Sequence, residues 1–157
     1  MPYHLQRSLF LPRPREEIFA FFSDAANLER ITPPFLNFHI VTPRPIDMKS
    51  GTIIDYKLRL YGIPFHWRTL IETFEPPASF SDAQVMGPYR RWHHLHEFTE
   101  VPGGTEMRDR VDYELPFRLF SPIIHPLIVR RSVQQIFDYR NKIIAEIFGA
   151  PAPVSPR

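Results

Sequence analysis

The sequence predicts an α+β domain in which a curved antiparallel sheet of about seven strands wraps around one long C-terminal helix. Apolar and polar residues alternate with a period of two in successive segments up to Pro116, which is typical of strands with one buried face. Two short helical segments interrupt this alternation after the first strand. Over residues 127–148 the apolar period changes to about 3.6, which is typical of an amphipathic helix.

The first predicted strand covers residues 3–11 and ends where Pro12 removes a backbone donor. Pro14, followed closely by two glutamates, is typical of the first turn of a helix, because acidic side chains are favoured at that end. A second short helix is predicted over residues 25–31, with Asp24 as its cap. Six further strands follow, at residues 36–41, 52–60, 65–74, 79–85, 89–100 and 105–113.

The last predicted element is the helix over residues 127–148, which at 1.5 Å per residue is roughly 30 Å long. One stripe of this helix is apolar and consists of Val129, Val133, Ile136, Phe137, Ile143, Ile144 and Ile147. Gly149 is a natural stop for a helix. We therefore predict one domain over residues 1–148 and a disordered, proline-rich tail over residues 149–157.

The composition excludes several classes of protein. With 157 residues, 43% of them hydrophobic and 23% charged, the chain fits one globular core. A net charge of +2 without a dense Lys/Arg run argues against nucleic acid as a partner. The chain has no cysteine, and no apolar run approaches the roughly 20 residues that cross a membrane. The N-terminus lacks a signal-peptide pattern, so we expect a cytoplasmic protein, and the oligomeric state is left open.

The segment from residue 89 to 113 predicts a β-hairpin around a Pro-Gly-Gly turn. A four-residue loop at 101–104 would pair Phe98 with Met107, His96 with Asp109, His94 with Val111 and Trp92 with Tyr113. The opposite face of the second strand is wholly charged and must meet water, so these pairs face inward. A slip of two residues would instead place His94 beside Asp109. Two histidines and an aspartate on an inner face cost several kcal/mol unless each finds a partner.

Asp82 and Gln84 extend this polar set, since a short turn at residues 87–89 would place Asp82 opposite His94 and Gln84 opposite Trp92. Such a line of polar groups could orient a ligand or move protons, or it could simply fix the strand register. A metal site is a further alternative, with the two histidines and either aspartate as ligands. Because the aspartates are better explained as partners of the imidazoles, we predict no metal and no cofactor.

A series of short motifs follows in order: Pro76-Pro77, Phe80-x-Asp82-x-Gln84, Gly87-Pro88-Tyr89, Trp92-x-His94-x-His96-x-Phe98, Gly104-Thr105 and Arg108-Asp109-x-Val111-x-Tyr113-x-Leu115-Pro116. With the order of elements, they resemble the START-like helix-grip superfamily, also called SRPBCC. Within it, the sequence is similar to the polyketide cyclase/dehydrase-like branch of bacterial ligand-binding proteins. The likeness covers residues 3–148 and implies a helix-grip fold with a hydrophobic cavity. It implies no catalytic residues, because the superfamily shares no catalytic set.

The expected function is binding of a small, largely apolar or amphipathic molecule in a cavity between the sheet and the C-terminal helix. The candidate ligand-binding residues are Trp67, Asp82, Gln84, Trp92, His94, His96, Phe98, Asp109, Tyr113 and Ile136. One alternative is a cyclase or dehydratase that uses His96 with Asp109 as general acid and base. Another is a lipid-handling protein without chemistry. Whether the protein is an enzyme is left open by the sequence.

Overall fold

The computed structural model describes residues 2–117 and 119–151. Its strands are β1 (Tyr3–Leu11), β2 (His39–Ile40), β3 (Ile53–Leu60), β4 (Ile63–Glu75), β5 (Ser79–Met86), β6 (Arg91–Val101) and β7 (Gly104–Glu114). Its α-helices are α1 (Arg15–Phe22), α2 (Ala26–Ile31), α3 (Ser121–Ile124) and α4 (Arg130–Phe148). These strands form one antiparallel sheet in the order β1-β7-β6-β5-β4-β3-β2, so the predicted fold class is confirmed.

The β6–β7 hairpin has the predicted register. Phe98 lies opposite Met107, His96 opposite Asp109, His94 opposite Val111 and Trp92 opposite Tyr113. The turn is tighter than predicted, because Val101 already pairs with Gly104 and only two residues connect the strands. Gly103 takes a φ of 84°, a left-handed conformation that costs glycine little. The register is unchanged because both turns keep the same residues opposite each other.

The strand predicted over residues 36–41 is largely absent. Residues Pro34–Leu36 form a 3₁₀ turn, and β2 is only two residues long. Pro34 pre-sets the backbone of the first turn, and Asn37 takes a left-handed φ of 46° that ends it. The backbone therefore becomes extended only after Asn37, which leaves room for a two-residue β2.

The C-terminal helical region begins earlier than predicted. Helix α3 starts at Ser121, and a π-helical turn over His125–Val129 leads into α4. The turn contains Pro126, which lacks the N–H that a regular helix would use. Of the predicted tail, Gly149 caps α4 with a φ of 69°, while residues 152–157 lie outside the described part of the chain. No helix in the described ranges has both the length and the hydropathy to cross a membrane.

The core is divided along the sheet. Near the turn of the β6–β7 hairpin, Phe98 and Met107 pack tightly with Ile18 of α1 and Ile144 of α4. Further along, Tyr56, Trp67 and Ile71 form a second apolar cluster on β3 and β4, against which Ile136 of α4 is only partly buried. Helix α4 therefore packs closely on the sheet near the hairpin turn and leaves a gap over β3 and β4.

Candidate functional site

The gap between the sheet and the helices is a cavity of about 180 Å³. Most of its wall is apolar and includes Leu58, Trp67, Ile71, Trp92, Ile136 and Phe137. The two tryptophans meet edge to face with ring centroids 5.5 Å apart. An apolar cavity with a few converging polar groups is the usual form of a small-molecule site.

The polar end of the cavity is formed by side chains from four elements. Asp82 on β5, His94 and His96 on β6, and Arg140 on α4 all line the cavity. Asp109 on β7 lies behind them and is completely buried. Strand alternation explains this arrangement, because residues two apart on β6 share one face and their partner strands place the carboxylates on either side. We call these five residues the polar cluster.

His96 lies between two carboxylates. Its Nε2 is 3.0 Å from Asp82 Oδ2, and its Nδ1 is 3.1 Å from Asp109 Oδ1. An ionised carboxylate only accepts hydrogen bonds, so Nε2 donates to Asp82. Nδ1 also lies 3.4 Å from Nη2 of Arg140. Burial alone would lower the pKa of His96, but the hydrogen bonds to Asp109 and Asp82 outweigh it and raise the pKa.

His94 is held in a different protonation state. Its Nε2 donates to Asp109 Oδ1 at 2.9 Å, whereas its Nδ1 is 3.9 Å from Asp82 Oδ2, which is beyond hydrogen-bond distance. Burial and the neighbouring His96 lower the pKa of His94 to about 4. Near neutral pH this imidazole is therefore uncharged, with a free lone pair on Nδ1.

The two carboxylates stay ionised. Burial would raise the pKa of Asp109, but the charge of Arg140 and the hydrogen bonds from both imidazoles hold it well below its usual value. The pKa of Asp82 is also lowered, because its hydrogen bond from His96 and the surrounding positive charges outweigh burial. Asp109 Oδ1 is contacted by nitrogens of His94, His96 and Arg140 at 2.9, 3.1 and 3.3 Å. Its Oδ2 has no hydrogen-bond partner among the described residues.

Arg140 is the member of the polar cluster that sequence reasoning missed. Its side chain is only 7% exposed, and its Nη2 donates to Asp109 Oδ1 at 3.3 Å. Helical spacing could have indicated this residue. Position 140 lies three residues after Phe137 and four before Ile144, so it falls within the predicted apolar stripe. An arginine inside such a stripe indicates a buried acidic partner.

Six of the ten candidate residues line the cavity: Trp67, Asp82, Trp92, His94, His96 and Ile136. Asp109 does not reach it, because both imidazoles and Arg140 cover the carboxylate. Gln84 does not line the cavity. Its side chain stabilises the turn before β6 by donating to the Tyr89 carbonyl at 2.6 Å and accepting from the Tyr89 N–H at 3.2 Å. The β5–β6 ladder ends at Ala83 opposite His93, so the expected pairing of Gln84 with Trp92 does not form.

The remaining two candidates, Phe98 and Tyr113, also lie away from the cavity wall. Phe98 is 2% exposed and packs against Phe19 and Phe22 of α1. The Tyr113 hydroxyl is 2.7 Å from His125 Nε2, beneath the π-helical turn. Both side chains are buried, because the helices cover the sheet at these two positions.

Three side chains of the polar cluster could hold a metal ion. Asp82, His94 and His96 each offer one ligand atom, and these atoms lie within 4.8 Å of one another. The other histidines on β4 and β6, His66 and His93, face outward and pair with Asp55 and Glu72.

A sheet that grips a long helix across an apolar cavity defines the helix-grip class. The family model described as polyketide cyclase / dehydrase and lipid transport matches residues 11–137. The chain belongs to this family, and the resemblance inferred from the sequence motifs is confirmed. No protein with a curated function matches the sequence.

Solved structures with the same fold include enzymes and other proteins. The di-domain aromatase/cyclase StfQ from the steffimycin biosynthetic pathway is 12% identical with a TM-score of 0.74, over 95% of this chain and 51% of that one. A norcoclaurine synthase from Thalictrum is 14% identical with a TM-score of 0.65, over 94% and 96%. Major latex-like protein 151 from Panax ginseng is 11% identical with a TM-score of 0.68, over 94% and 97%. At these identities the likeness concerns the fold alone.

Proposed function

We propose that this protein binds a small, largely apolar molecule in the cavity beneath α4, with one polar group of the molecule directed at the polar cluster. The observation that carries the proposal is the apolar, aromatic wall that ends at His94, His96 and Arg140. Trp67 and Trp92 provide flat apolar surface, which favours a molecule with a ring.

The polar cluster also indicates what the bound molecule should carry. His94 Nδ1 lies 3.9 Å from Asp82 Oδ2 and makes no hydrogen bond within residues 2–117 and 119–151. A hydroxyl on the ligand could therefore donate to its lone pair. Arg140 is a donor at the same end of the cavity and favours a carbonyl or hydroxyl oxygen. The preferred class is therefore a hydroxylated or carbonyl-bearing apolar ring compound.

The test combines detection of a retained molecule with probe binding. Native mass spectrometry of the purified protein should show an added mass that disappears on denaturation. Titration with the neutral dye Nile red should give saturable fluorescence, weakened in Ile136→Phe because that change fills the cavity. The control is Val85→Phe, at a side chain that is 57% exposed and outside the cavity. Equal binding by both variants would contradict the proposal.

A second candidate function is enzymatic and rests on the same His94. A neutral imidazole that lines a cavity and whose Nε2–H is fixed by a carboxylate has the form of a general base. A cyclase or dehydratase could use it to remove a proton next to a carbonyl. The test is deuterium exchange into the α position of 1-tetralone in D₂O, followed by NMR, because an ordinary ketone exchanges slowly in buffer alone. Catalysed exchange that is lost in His94→Gln but kept in His93→Gln would support it, and exchange no faster than in buffer would argue against it.

A further inference from the structure

We propose that Asp82, His94 and His96 form a binding site for a divalent transition-metal ion, Zn²⁺ in the first place, at the polar end of the cavity. The proposal goes beyond the binding of an organic molecule and does not require one. It also assigns unequal roles to the two aspartates, which the sequence had suggested were both partners of the imidazoles.

The two imidazoles each have one nitrogen on the side of Asp82. His94 and His96 are neighbours on one face of β6, with ring centroids 3.8 Å apart. Each gives one nitrogen to the same atom, Asp109 Oδ1: His94 Nε2 at 2.9 Å and His96 Nδ1 at 3.1 Å. The other nitrogen of each ring is therefore on the Asp82 side.

The three donor atoms lie close enough together to bind one ion. Asp82 Oδ2 is 3.0 Å from His96 Nε2 and 3.9 Å from His94 Nδ1, and the ligand atoms of the three residues all lie within 4.8 Å. Bonds of about 2.0–2.1 Å in a tetrahedral Zn²⁺ site separate neighbouring ligand atoms by about 3.3 Å. The observed distances lie on both sides of that value, so rotations of side chains would suffice to close the site.

A buried carboxylate behind the imidazoles supports such a site. A histidine that binds a metal usually donates its other N–H to a carboxylate or carbonyl, which fixes the orientation of the ring. Asp109 Oδ1 accepts from His94 Nε2 at 2.9 Å and lies 3.1 Å from His96 Nδ1, and Asp109 is itself completely buried. Asp82 is less constrained, since its side chain is 16% exposed and borders the cavity.

The charges of the polar cluster are compatible with a cation at this point. Arg140 lies 3.3 Å from Asp109 Oδ1 and compensates the charge of that carboxylate. The charge of Asp82 can then be compensated either by a proton on His96 or by a metal ion. The positive charge of Arg140 repels a cation and weakens its binding. Bonds to three protein ligands favour binding and act against this repulsion. Since all three ligands line the cavity, the fourth position faces it and could take a water or an oxygen of a bound molecule.

The experiment uses the full chain after removal of metals with EDTA and dialysis. Titration with Zn²⁺ against a competing chromophoric chelator should show one equivalent bound, and Co²⁺ should give the intense visible absorption of four-coordinate cobalt. We expect His94→Gln, His96→Gln and Asp82→Asn to weaken Zn²⁺ binding at least tenfold, as is typical when a ligand is lost, and Asp109→Asn to weaken it by roughly 10- to 100-fold. His93→Gln, on the outer face of the same strand, should bind like the wild type.

Circular dichroism and thermal melting establish that each variant is folded. Asp82→Asn is the decisive substitution, because asparagine retains an oxygen that can accept a hydrogen bond. Absence of stoichiometric Zn²⁺ binding by the folded wild type, or binding unchanged in folded Asp82→Asn, would overturn the proposal. Nile red titration of the EDTA-treated protein separates the two questions, since the apolar cavity should take up the dye whether or not the ion binds.

Discussion

Arg140 Nη2 donates a hydrogen bond to Asp109 Oδ1 at 3.3 Å, which joins helix α4 to strand β7 through two buried charges. Phe22 and Phe137 lie beside the guanidinium, with ring centroids 5.2 and 5.9 Å from Cζ. Arg140 and Asp109 are both buried, so removal of either charge leaves the other less well compensated.

We expect Arg140→Met to lower the free energy of unfolding by about 3–5 kcal/mol, because it removes the guanidinium that contacts the buried Asp109 carboxylate. Urea denaturation followed by circular dichroism measures the effect. Arg131→Met is the matched control on the same helix, since Arg131 is exposed, and should change stability little. Adding Asp109→Asn to Arg140→Met should recover part of the loss, and two additive losses would show that the residues do not act as a pair.

The two histidines of the polar cluster should titrate in different ranges in metal-stripped protein. His94 lies beside Asp82, Asp109 and His96, and Arg140 contacts the same Asp109 oxygen. Burial and His96 lower the pKa of His94 to about 4. The pKa of His96 is raised by its two carboxylate partners despite its burial. At pH 6, NMR of the imidazole rings should therefore show His94 neutral and His96 charged.

These shifts have opposite consequences for stability. Since the pKa of His94 falls from 6.5 to about 4 on folding, its contribution to stability is present above 6.5 and is lost as the pH falls towards 4. The contribution of His96 is present below 6.5 and is lost as the pH rises through its raised pKa. Asp109→Asn removes a charge that favours the imidazolium, so the midpoint of His96 should fall. An unchanged midpoint would contradict the contact between His96 and Asp109.

Trp67 and Trp92 should report on the cavity, since both line it and their rings touch. Their emission in the free protein should be blue-shifted relative to exposed tryptophan, and binding of Nile red should quench it by energy transfer. The single variants Trp67→Phe and Trp92→Phe assign the signal to each ring. Emission typical of water-exposed indole, unaffected by the dye, would show that these residues do not enclose an apolar space.

Removal of the C-terminal helix should abolish folding. Val133, Phe137 and Ile144 are at most 3% exposed, and each full burial contributes roughly 1.5–3 kcal/mol. Their loss is large beside a usual total stability of about 5–15 kcal/mol. A chain that ends at Phe120 should therefore show no dispersed NMR spectrum, whereas one that ends at Ala150 keeps the Gly149 cap and should fold. A folded 1–120 fragment would mean that the sheet does not need α4.

The sequence determined which residues face inward. A strand has a period of two, so the placement of His94, His96 and Asp109 on one face followed from alternation and from a wholly charged opposite face. The length of the hairpin loop then determined the register of β6 on β7. Both arguments are local, because neighbouring residues along the chain carry the whole pattern.

Only the tertiary structure decided how the polar groups pair. The register places His96 opposite Asp109, yet His94 also reaches Asp109 and His96 also bonds Asp82, because side chains on one sheet face can contact diagonal neighbours. Arg140 belongs to the cluster because packing fixes the rotation of α4 about its axis, and that rotation points position 140 at the sheet. A charge is stable there only with an acid across the gap, 31 residues away in the chain, and no local pattern specifies such a partner.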